Sequence, residues 1–181
     1  MYMALSPEFV YEDVQERARN ITRLFPKMMD LFSEGKKIPK MHIIEGVTGM
    51  IKLYNDITSG RDGKVHELRA FVSPNTAPKE FDVNWELFTS ALKAGRLHMR
   101  EIFTEDSLEH PYLQNITKFP NHEGRIIKGF RPFESDTLLV DEKIILFSYE
   151  KSFAVVIESP DLYTSFGSLF DVAWKSGTPL S

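Results

Sequence analysis

Residues 137–174 read TLLVDEKIILFSYEKSFAVVIESPDLYTSFGSLFDVAW. Two apolar runs of strand length, Thr137–Val140 and Lys143–Ser148, flank Asp141-Glu142, a spacing that predicts a tight hairpin-like connection. Phe153–Glu158 is a further apolar strand. Ser159-Pro160-Asp161 then supplies a helix start signal. Leu162, Phe166, Leu169, Phe170 and Trp174 give the following segment an amphipathic helical pattern, with Gly177 and Pro179 as its stop.

Upstream of this stretch, strands alternate with helices. Met41–Glu45 reads as strand, Val47–Thr58 as helix and His66–Val72 as strand. Asn84–Ala94 reads as a helix with Trp85, Phe88 and Leu92 on one face, and His98–Thr104 as strand. Ser107–Lys118 is a weaker helix crossed by Pro111, and Gly124–Phe130 is strand. Alternation followed by a late run of strands predicts an α/β fold, a mixed sheet flanked by helices.

Ahead of the alternating region stands a long amphipathic helix. Val10, Val14, Ala18, Ile21, Phe25, Met28 and Phe32 form one apolar stripe with charged residues off it, and Pro26 interrupts the run. Such a stripe either covers the domain's own core or pairs two chains. Under the pairing reading, Val14, Ile21, Phe25 and Met28 are the dimerisation residues. Residues 35–40, GKKIPK, form a lysine-bearing linker with no interleaved aromatic, the pattern of a solvated segment. The expected division is a linking helix over 1–35 and an α/β domain over 36–181.

The chain has 181 residues, with 22 Lys+Arg against 26 Asp+Glu, a net charge of −4. That balance argues against a surface built to track phosphates. The absence of cysteine excludes disulfides, thiolate metal sites and a cysteine nucleophile. No apolar run has the length of a membrane span, and the expected location is the cytoplasm. His42, His66, His98, His110 and His122 are scattered and read as isolated surface or strand-edge residues, so no metal or cofactor is expected. Gly46 and Gly49 sit at a strand-to-helix junction without the Lys-Ser/Thr ending of a phosphate loop. A tight turn with close backbone approach is the better reading, although the amides of such a junction can hold a small anion. The carboxylates Glu134, Asp136, Asp141 and Glu142 read as solvated turn residues.

From Met41 onward the chain resembles the C-terminal, phospholipase D-like domain of TrmB-type transcriptional regulators. The resemblance rests on residues 42–57, HIIEGVTGMIKLYNDI, with Gly46 and Gly49; on residues 138–148, LLVDEKIILFS, with Asp141 and Lys143; on residues 153–174; and on the N-terminal residues 2–17, YMALSPEFVYEDVQER. It implies a non-catalytic effector-sensing and dimerisation module, with DNA contacted only through a winged-helix domain that would precede this segment. The alternative it leaves is a divergent phosphodiesterase or nuclease.

Phospholipase D chemistry needs H-x-K-x4-D, with histidine as nucleophile and lysine on the phosphate. With Asp141 in the aspartate position, the histidine and lysine positions fall on Glu134 and Asp136, which carry the wrong charge. His98-Met99-Arg100 comes nearest elsewhere, with Glu105 where the aspartate would stand. The resemblance therefore implies a fold kept without its catalysis, a homodimer, and a small-molecule effector that is a sugar or an anion. A sugar site wants aromatic platforms beside planar polar groups, and Trp85, Phe130, Arg131 and Phe133 supply both. The candidate ligand residues are Gly46, Gly49, Arg125, Arg131, Phe133 and Asp141.

Overall fold

The computed structural model describes residues 39–59 and 64–180, with Tyr11, Gln15, Glu16 and Leu24 ahead of them. The chain divides into two compact units, residues 1–38 and 39–181. In the first, the four described residues are helical and exposed, and Gln15 Nε2 donates to Tyr11 Oη one turn away at 3.4 Å. Val14, Ile21, Phe25 and Met28 lie outside the described residues.

The second unit is built on one sheet. Its strands are β1 (Lys40–Glu45), β2 (His66–Phe71), β3 (Leu97–Thr104), β4 (His122–Ile127), β5 (Asp136–Val140), β6 (Lys143–Ser148), β7 (Phe153–Glu158) and β8 (Thr178–Pro179). The helices are α1 (Gly46–Thr58), α2 (Asp82–Lys93), α3 (Pro111–Ile116) and α4 (Pro160–Ser176). The sheet order is β1-β7-β6-β5-β2-β3-β4-β8, with β2, β3 and β4 parallel and every other pairing antiparallel. The fold is the expected mixed sheet flanked by helices. Side chains alternate across each strand, so two separate cores form. On one face Met50 and Tyr54 of α1, Phe88 of α2 and Tyr112 of α3 pack over Leu68, Met99, Phe103 and Phe147. On the other, Phe170 of α4 packs on Ile102, Leu139 and Ile144. Each fully buried Leu, Ile or Phe contributes roughly 1.5–3 kcal/mol by leaving water.

The β5–β6 connection is the hairpin expected from the sequence. Asp141 and Glu142 both take left-handed backbone conformations, with φ of 51° and 60°, as a two-residue turn between twisted strands requires. Two expectations are corrected. Pro111 does not cross a helix but begins α3 at its first position, where no amide donor is lost; His110 Nδ1 caps the helix by accepting from the Tyr112 amide at 3.3 Å. Glu105–Ser107 forms a separate 3₁₀ turn. Strand β4 ends at Ile127 rather than Phe130, which lies in the following loop and is 63% exposed.

Gly46 shows why a glycine stands between β1 and α1. Its φ is +77°, and its amide donates to Ser152 O at 2.7 Å, tying the helix start to the β6–β7 turn. A Cβ there would meet nothing within 4 Å, so the cost of Gly46→Ala is conformational alone. It should lower the unfolding free energy by about 1–2 kcal/mol, read as a lower urea midpoint at unchanged slope. Gly49 differs: its Cβ would lie 2.8 Å from Ile44 Cγ2, because α1 closes directly onto the strand it follows.

Candidate functional site

Period-two alternation places two carboxylates on the apolar face beneath α1–α3. Glu101 falls between the inward residues Met99 and Phe103 of β3, and Asp136 falls two residues before inward Leu138 on β5. The cross-strand neighbours of Glu101 are Ala70 and Gly124, whose small size leaves room for its side chain. Glu101 is 2% exposed and Asp136 6%, so neither is a solvated surface acid.

Hydrogen bonds hold both groups. Tyr112 Oη lies 2.8 Å from each Glu101 oxygen, and His122 Nε2 lies 2.8 Å from Oε2. Asp136 Oδ1 accepts from the Ser73 amide at 2.8 Å, and Oδ2 accepts from Tyr149 Oη at 2.6 Å. With that proton committed, Tyr54 Oη donates to Tyr149 Oη at 2.6 Å, which makes a chain of hydroxyls ending on the aspartate. Tyr54 is itself stacked on Phe147, with centroids 4.2 Å apart.

Glu101, Asp136, Tyr54, Tyr112 and Tyr149 line one cavity of about 40 Å³, whose remaining wall includes Phe81, Trp85 and Phe88. Burial is the largest influence on the Asp136 carboxyl and, with the Glu101 charge, raises it to about 6 against the hydrogen bonds from Tyr149 and Ser73. Burial likewise raises Tyr54, Tyr112 and Tyr149 well above the usual phenol range, with nearby carboxylates adding to the effect. All three phenols are therefore neutral donors at physiological pH.

The residues singled out from the sequence do not converge on this cavity. Gly46 and Gly49 stand at one end of edge strand β1. Arg125 lies on the opposite face of the sheet, where its guanidinium sits 4.8 Å from the Trp174 ring centroid and donates to Trp174 O at 2.7 Å. It belongs to a row with Arg69 and Arg100, which lie over Tyr163, Phe170 and Trp174 and fasten α4 to the sheet. Arg131 is exposed in the β4–β5 loop, and Phe133 meets Phe71 edge-on at 5.6 Å on the α4 side. Asp141 sits at the other end of the sheet, both carboxylate oxygens 2.9 Å from His66 Nδ1.

Two readings of the titratable residues change. Asp136 is buried rather than a solvated turn residue, and His66 and His122 are buried rather than peripheral. For Glu101 the signal was present in the strand period, since it shares the parity of Leu97, Met99 and Phe103; β5 is apolar on both faces, so its period carried no such signal for Asp136. No group of three or more metal-ligating side chains occurs among the described residues.

No protein-family model matches the chain, and no curated protein matches it by sequence. Solved structures do share its fold. The archaeal chromatin protein TrmBL2, whose structure shows a novel mode of DNA binding, superposes with a TM-score of 0.55 at 14% identity, covering 96% of this chain and 69% of that one. The phospholipase D family member Nuc from Salmonella typhimurium gives 0.56 at 15% identity, over 79% and 99% of the two chains. NucT from Helicobacter pylori gives 0.60 at 12% identity, over 79% and 100%. The fold is thus that of phospholipase D-like domains, including the one in a TrmB-type protein. Among the described residues, no helix is long and apolar enough to cross a membrane.

Proposed function

We propose that this chain is an effector-sensing and dimerisation module of a TrmB-like regulator, a phospholipase D-like domain without phosphodiester chemistry. One observation carries the reading. Counting back from Asp141, the phosphate-binding lysine of H-x-K-x4-D is replaced by Asp136, which is buried and held by the Ser73 amide and Tyr149. A carboxylate there repels a phosphodiester, and Glu134 in the histidine position cannot form a phosphohistidine.

In this reading the cavity beneath α1–α3 is the effector site. A bound effector touches Tyr54 on α1, which is joined through β1 to residues 1–38, the segment that carries the dimerising stripe. DNA contact belongs to a winged-helix segment and not to the α/β unit. Two measurements test the proposal. The chain should release no nitrophenol from bis-p-nitrophenyl phosphate above a buffer blank; turnover that disappears in His98→Ala would favour a phosphodiesterase instead. Sedimentation should give a dimer for the full chain and a monomer after removal of residues 1–35, and equal monomer masses for both would sink the dimerisation role.

A further inference from the structure

The tyrosine hydroxyls lining the cavity are already committed, as is the ring of His122 behind Glu101. The hydroxyls of Tyr112 and Tyr149 and the Nε2 proton of His122 are spent on the carboxylates, and the Tyr54 hydroxyl is spent on Tyr149. The carboxylates themselves keep acceptor capacity, because an ionised carboxylate offers about four lone-pair sites. Neither carboxylate has a Lys or Arg within ion-pair distance among the described residues; His122 alone faces Glu101 in that way. Ser73 Oγ, on the residue whose amide holds Asp136, and His122 Nδ1, on the ring that holds Glu101, are buried with no hydrogen-bond partner. Apart from His122 against Glu101, the shell around the two acids holds them through hydrogen bonds rather than ion pairs.

The rest of the wall is aromatic. Tyr54, Phe81, Trp85, Phe88, Tyr112 and Tyr149 surround the acids. A desolvated cation is attracted to the electron-rich faces of such rings. Size narrows the ligand further. A cavity of about 40 Å³ has room for about three waters, and therefore for an ammonium head with a carbon or two, but not for a sugar ring. Pro74, Ala77, Trp85 and Tyr112 also line a larger open groove toward Lys93 and Lys118.

We propose that this chamber binds a small organic ammonium ion, its head between Asp136 and Glu101 and its tail leading past Trp85 into the groove. The proposal rests on the effector-sensing reading and names the chemical class of the effector. It reverses the charge preference of the phosphodiester site whose lysine position Asp136 occupies.

The test is calorimetric titration and thermal shift of the full chain with methylammonium and n-butylammonium chloride at constant ionic strength and about pH 8, with sodium chloride, glucose and inorganic phosphate as parallel arms. Both ammonium salts should bind and raise the melting temperature, and the other three should not. Asp136→Asn, which keeps the side-chain shape, and Trp85→Ala should each weaken ammonium binding about tenfold or more. Binding should also weaken from pH 8 to pH 5 as Asp136 takes up a proton. The other titratable groups facing the chamber are Tyr54 of α1, Tyr112 of α3, Glu101 of β3 and Tyr149 beyond β6, with His122 of β4 behind Glu101. Ammonium binding unchanged in Asp136→Asn would place the ion elsewhere on the acidic surface and overturn the proposal. Stabilisation by glucose or phosphate without ammonium binding would overturn it while leaving the sensing role intact. Phosphodiester turnover abolished by His98→Ala would remove the sensing role itself.

Discussion

At about pH 8, Asp136→Asn should unfold with a free energy up to about 3 kcal/mol higher than the parent chain, and at about pH 4 the two should coincide. The buried carboxyl has its folded-state value raised to about 6 from an ordinary 3.8. A raised value means that the folded chain holds the proton more tightly than the unfolded chain. Stability from this group is therefore fully present below 3.8 and is lost as pH rises through about 6. A shift of about two units at ~1.4 kcal/mol each sets the size. Asparagine carries no charge to desolvate, and its carbonyl still accepts from the Ser73 amide. Its amide can donate to Tyr149, whose hydroxyl then turns toward Tyr54, so the hydrogen-bonded chain survives in reverse. Urea unfolding of both proteins across this pH range reads the difference, in which contributions from other acids cancel. A parent that is equally stable at pH 5 and pH 8 relative to the variant would show that Asp136 is not desolvated. Gain of stability with loss of ammonium binding is the pattern expected where a site carries a destabilising charge for the sake of its ligand.

Phe147→Ala should lower the unfolding free energy by about 4 kcal/mol. The ring is fully buried on β6, stacked on Tyr54 at 4.2 Å and nearly parallel to Tyr149 at 6.3 Å. Removing it forfeits the transfer energy of a whole aromatic side chain and leaves a void between α1 and the sheet, a combination that costs about 3–5 kcal/mol in close-packed cores. The loss of stacking on Tyr54 adds roughly 0.5–1.5 kcal/mol within that range. The expected readout is a lower urea midpoint with the slope unchanged. Because Tyr54 and Tyr149 lean on this ring, the same variant should also weaken ammonium binding. A stability loss below about 1.5 kcal/mol would mean that the site collapses freely and that Phe147 does not hold the tyrosine pair in place.

Most element positions were readable from local pattern. The β5–β6 hairpin follows from two apolar runs around Asp141-Glu142, and α4 from Ser159 as cap with Pro160 in its first turn; both occur as expected. The region near Pro111 was misread because a proline that starts a helix and one that interrupts it look alike until the cap is known. Here His110 provides that cap. Phe130 was extended into β4 because an apolar residue beyond a strand carries no mark of where pairing ends.

The chamber is a different kind of case. Glu101 is a charged residue inside an expected strand, whereas Asp136 stands one residue ahead of the expected strand Thr137–Val140, and nothing local says that β3 and β5 flank the same strand, β2. Tyr54, Tyr112 and Tyr149 come from three further segments and meet the two acids only because α1 and α3 lie on one face of the sheet. Arg125 shows the converse: a plausible ligand residue in the sequence, it is fully engaged with Trp174 on the far face.

The sequence by itself determined most of the strands and helices, the order in which they come and the loss of the phosphodiester motif. Each of these depends on neighbours a few residues apart. Only the tertiary structure decided which charges are buried, which donors are spent and which face holds a cavity. Those properties belong to strand order and helix placement, which bring together residues distant along the chain.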